Sequence, residues 1–173
     1  MKLHLLHQTR CLAIYYDSGN DWLFLDWHGD LTLHDTKEAC VALAHCYLRR
    51  PYPRVLNSNA QLESVSWSIA AWLVTDFLPH MSLAGVEHVA WICSSTLSGR
   101  HVVQTIINWL PGFILNIFDD MEGAVGWLQH TRSTHPQGYA IPQRTFTNQA
   151  KLAQEVRNLC QRAALPPPKL QPV

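Results

Sequence analysis

The sequence predicts an α/β domain with a mixed, mainly parallel β-sheet flanked by helices. Antiparallel strands open it, and an extra helix follows at the C-terminus. Three observations carry this expectation. Short apolar runs divided by turn residues fill the first thirty positions. Further short strands beginning at Val55-Leu56 and spanning 88–93 and 113–118 then alternate with segments of helical spacing, the pattern of parallel strands joined by helices. Finally, Arg54 to Pro79 reads as a short apolar strand, a polar break, and a helix apolar almost all the way round.

The elements follow in order. Residues 2–7 and 11–16 read as strands. Asp17-Ser18-Gly19-Asn20-Asp21 is a turn, and Trp22 to Trp27 is the third strand, closed by His28-Gly29-Asp30. Asp35 with Glu38 matches a capping box for the first helix, which ends before Pro51 and Pro53 because proline cannot continue it. Val55-Leu56 begins a strand running into Asn57-Ser58-Asn59, and the next helix starts near Ser66. Its apolar residues cover more than one face, so a second cover is expected: another copy of the chain, or the C-terminal tail. A strand at 88–93 leads to the polar loop Ser94–Gly99, then to a helix with Val102, Val103, Ile106, Ile107 and Leu110. Phe113 to Phe118 is the last strand. Asp119 with Glu122 caps a helix that turns Met121, Ala124, Val125, Trp127 and Leu128 inward. Composition changes after Arg132, which divides the chain into a domain at 1–132 and an extension at 133–173. The extension comprises a linker, a helix at about 147–163 with Leu152, Val156, Leu159 and Ala163 on one stripe, and a proline-rich tail.

Composition narrows the function classes. Apolar residues make up 47% of 173 and charged residues only 15%, against roughly 25% in an ordinary domain. With seven Trp, this fits either a partner-covered apolar surface or a large aromatic core. The formal net charge is zero, and the only basic cluster, Arg49, Arg50 and Arg54, sits at a helix end. Nucleic acid is therefore not an expected partner. No apolar run reaches the ~18 residues of a membrane span, and the N-terminus lacks a signal-peptide pattern. Five cysteines without a CxxC pair fit core thiols in a reducing cytoplasm.

Catalytic and cofactor signatures are missing. Ten histidines include no HExxH and no HxH, so no metal is expected. There is no GxSxG elbow and no GxGxxG or P-loop, so no nucleotide cofactor is expected. Cys93, at a strand end before Ser94-Ser95, has the position of a nucleophile, although a buried core thiol explains it more simply. The 94–100 loop offers Ser98 and Arg100 to an anion, with helix capping as the plainer role of Ser98. Asp26 and Asp30 could form an acid–base pair, but Asp30 fits turn chemistry and Asp26 the solvent side of a strand.

The ordered run of a WHGDLT entry into the first helix, a strand ending in LNSN, W…AAWLVTDFLP, AGVEHVAWICS and FDDMEGAVGWL resembles a bacterial SpoIIAA-like family related to STAS domains. The likeness covers about residues 10–130. It implies a small, cytoplasmic, non-enzymatic module that binds a protein partner. Some STAS members are switched by phosphorylation of a serine before the helix that follows a central strand. The matching segment, Asn57 to Ser66, offers Ser58, Ser64 and Ser66, without the Asp-Ser-Gly arrangement of phosphorylated members. The fold is also similar to lipid-carrying CRAL-TRIO domains.

Three functional expectations follow. The first is a regulatory interaction module that binds a partner, or itself as a homodimer, through residues 57–80 and the 94–100 loop. Asn57, Ser58 and Asn59 would be its polar contacts, and Trp67, Trp72 and Phe77 its anchors. The second is a carrier of an apolar or lipid-like ligand, and the third an enzyme using Cys93 or the 94–100 loop.

Overall fold

In a computed structural model, residues 1–62, 65–93, 113–131 and 146–165 are described. They form a six-stranded sheet in sequential order: β1 (Leu3–Gln8), β2 (Leu12–Asp17), β3 (Trp22–Gly29), β4 (Arg54–Leu62), β5 (His88–Ile92) and β6 (Ile114–Phe118). β1, β2 and β3 pair antiparallel, and β3 to β6 pair parallel, as the sequence predicts. Five residues, Asp17 to Asp21, turn β2 into β3. Asp17 accepts from the Gly19 backbone and the Asn20 side chain, and Asp21 takes the left-handed conformation at φ 57°.

α1 (Leu33–Arg49) connects β3 to β4. Its cap is Thr32, whose hydroxyl accepts from the Asp35 amide and donates to the Asp35 carboxylate at 2.7 Å. The helix therefore begins earlier than the Asp35–Glu38 pattern predicts, and Asp35 is the third helical residue rather than the cap. After β4 come α2 (Trp67–Trp72), a π-helical segment (Leu73–Phe77) and α3 (Leu78–Leu83). Ser66 caps α2 through the Ile69 amide. α4 (Met121–His130) follows β6 and is capped by Asp120 through the Gly123 amide, one residue later than the Asp119–Glu122 pattern. Met121 is consequently exposed, while Ala124 and Leu128 face inward. α5 (Phe146–Ala163) closes the described structure.

The sheet divides two cores. On its first face Leu23, Leu25, Val55 and Val89 pack with α1, Ala70, Phe77, Leu78, Met81 and the α5 stripe Leu152, Val156, Leu159 and Ala163. On its second face Trp22, Phe24, Leu56, Ala90 and Ile92 pack against Ala124 and Leu128 of α4. The predicted helix at 102–110, the 133–145 linker and the tail from 166 lie outside the described residues. No described helix is long and apolar enough to cross a membrane.

Candidate functional site

The carboxyl ends of parallel strands are where open α/β sheets place their sites, and here that edge is polar. It is built by a strand longer than its sequence implies. β4 does not stop at Leu56 but continues through Asn57-Ser58-Asn59 to Leu62, pairing His28 with Gln61 and Gly29 with Leu62 beyond a bulge at Asp26/His28. The expected polar break is thus part of the sheet. Its side chains are satisfied across the strands. Trp27 Nε1 donates to Asn57 Oδ1 at 2.9 Å, and Asn57 Nδ2 donates to Asn59 Oδ1 at 3.1 Å. Extended backbone also gains ladder hydrogen bonds, which outweigh the weak strand preference of asparagine.

On the opposite face Ser58 registers with Asp26, and the two side chains are hydrogen-bonded. Asp26 is half-buried rather than solvent-facing. Burial raises its carboxyl above the ordinary 3.8, while His28 and Ser58 oppose the shift. Asp30 is exposed, outside this contact.

The structure places the predicted contact residues unequally. Asn57 and Ser58 are 7% and 3% exposed, so their role is to build the edge, while Asn59 is half-buried. Trp67, just after the Ser66 cap, is 68% exposed. Trp72 is half-buried under Lys37, whose Nζ lies 5.7 Å from the ring centroid. Phe77 is 3% exposed and belongs to the first core. Ser66 is exposed and shares a 2.9 Å hydrogen bond with Ser68. Ser64, Ser98 and Arg100 lie outside the described residues.

The thiols are arranged as core groups. Burial pushes Cys11 up to about 11 and Cys46 up to about 12, and raises Cys40 and Cys160 as well. Cys93 is 6% exposed. Among the described residues no three His, Cys, Asp or Glu side chains converge as metal ligands.

No protein-family model matches the sequence, and no curated protein does. A solved structure is similar: an uncharacterized DUF3478-family protein with a SpoIIAA-like fold from Shewanella loihica PV-4. It superposes with a TM-score of 0.51 at 22% identity, over 74% of this chain and 97% of that one. This chain has a SpoIIAA-like fold. The likeness leaves about a quarter of the chain without a counterpart in that protein.

The features that sequence reading missed are the Asp26–Ser58 contact, the long β4 and the π-helical segment. Only the first had a signal, the even spacing of Asp26 with Phe24 and Trp22 along one strand face.

Proposed function

We propose that this is a non-enzymatic, STAS-type regulatory module of the bacterial cytoplasm that binds a protein partner at the α2 end of the sheet. The observation that carries the reading is Trp67: a large aromatic left 68% exposed on a capped helix start, following the strand whose polar edge is already satisfied internally. Such a ring, flanked in sequence by Ser66 and Ser68, is the residue type that anchors the energetic centre of an interface. To the same partner contact we assign Asn59 and Trp72, both half-buried, and the 94–100 loop with Ser98 and Arg100. Phosphate, if added, would enter at exposed Ser66 or at Ser64 rather than at buried Ser58, where it would meet the Asp26 carboxylate.

Homodimerisation through 67–80 has less support, because α5 of the same chain packs against α3, and Arg162 pairs with Asp76 at 3.1 Å. The test is affinity capture from the native host with wild-type protein, Trp67→Ala and Asn59→Ala. A partner held by wild type and lost with Trp67→Ala, at unchanged thermal midpoint, supports the proposal. Equal capture by Trp67→Ala ends it. A co-purified apolar molecule in native mass spectrometry would move the assignment to a carrier.

A further inference from the structure

α5 is held on the domain along two seams, and each seam contains a histidine. Against α1, His45 is half-buried, and its Nε2 lies 3.5 Å from Cys160 Sγ of α5. Against α3, His80 is 5% exposed. Its ring is hydrogen-bonded to the Asp76 backbone, and its Nε2 is buried without a partner among the described residues. Facing His80 are Asp76 from the π-helical segment and Glu155 and Arg162 from α5, the last ion-paired with Asp76. Facing His45 are Cys160 from α5 and Arg49 from α1 itself. Between the seams lies the apolar stripe Leu152, Val156, Leu159 and Ala163, each 8% exposed or less.

We propose that docking of α5 is gated by pH, with His45 and His80 as the two sensors. Docking opposes the protonation of each ring. On His80 the added proton would sit on the buried Nε2, where no acceptor among the described residues meets it. On His45, a ring protonated on both nitrogens can only donate from Nε2 toward the Cys160 thiol, and its added charge lies near that of Arg49. Desolvation is accordingly the largest influence on both rings and lowers both below the ordinary 6.5, with Arg49 adding to it at His45. At His80, Glu155 and Asp76 pull upward and Arg162 downward, and burial prevails.

The sign follows from linkage. A ring whose docked value is lowered contributes full docking stability above pH 6.5. That stability is lost as pH falls from there through the docked value. Two coupled protons set an upper slope of about a hundredfold per pH unit in the docking constant. The sheet need not follow, because α5 rests mainly on α1 and α3 rather than on the strands, and the second core contains no α5 residue.

Hydrogen exchange of the full chain, corrected for intrinsic rates, tests this at pH 7.5 and 5.5. Wild-type peptides within 148–163 are expected to lose about tenfold or more of their protection at the lower pH, while β3 and β4 keep theirs. The double variant His45→Gln/His80→Gln is expected to hold equal protection at both pH values. Unchanged protection in the wild type, or an equal loss in the double variant, overturns the proposal. Should the double variant fail to fold, NMR titration of the wild-type rings decides. Both midpoints below 6.5 uphold the gate, and either at or above 6.5 removes it.

Discussion

Asp26 has a carboxylate on a sheet face that gives it little water. Its partners are a serine hydroxyl and a nearby histidine, and burial outweighs both, so the carboxyl ionises less readily in the folded chain than in the unfolded one. A carboxyl raised in the folded state contributes stability below the unfolded value of 3.8, and that contribution is lost as pH rises through the folded value. Asp26→Asn keeps a Ser58 partner without the charge. It is expected to raise the urea midpoint at pH 7, with the gain shrinking toward pH 3.8; a lowered midpoint at pH 7 would contradict the account. Thr32 is a simpler case. It caps α1 and anchors Asp35, which Arg10 also reaches at 3.1 Å. Thr32→Ala is expected to cost about 1 kcal/mol in equilibrium unfolding, the usual loss for a removed cap.

At the scale of elements, the mixed, mainly parallel sheet and the α1 and α5 stripes were legible because burial on one face imprints a period on the sequence. β4 was not fully legible. Asn57, Ser58 and Asn59 resemble a loop locally, and only the partners on β3 make them strand. The helix after Ser66 looked apolar all round, yet it divides in space: Ile69, Ala70, Phe77 and Leu78 are buried while Trp67 is not. No sequence period announces the π-helical turn at Leu73–Phe77 that lies between those groups. α5 offers the sharpest test of an element read correctly. Leu159 is 0% exposed in its stripe. Leu159→Ala is expected to cost about 2–5 kcal/mol of docking, seen as lost exchange protection across α5 before the sheet opens. Uniform loss across α5 and β3–β5 would instead make the helix one cooperative unit with the domain.

For the whole molecule, low charge and many tryptophans left two explanations open, a partner-covered surface or an aromatic core. The structure divides them. Trp22 and Trp27 are buried and Trp72 half-buried, whereas Trp67 lies outside. The cover that the 67–80 helix needed is supplied at its α3 end by the chain's own α5. A chain ending at residue 131 would lose that cover and bare Phe77, Leu78, Met81 and the α5-facing side of α1 as one apolar surface; its 7 Lys and Arg against 12 Asp and Glu leave a net negative charge, whose repulsion salt screens. The truncated protein is therefore expected to self-associate, its sedimentation-average mass rising with concentration. In the full chain at pH 7.5 that surface stays covered, so its mass should not rise in parallel. If both proteins rise together, the contact lies elsewhere, and Trp67→Ala in the full chain then locates it: loss of association would place the partner-binding surface and a self-contact on the same ring.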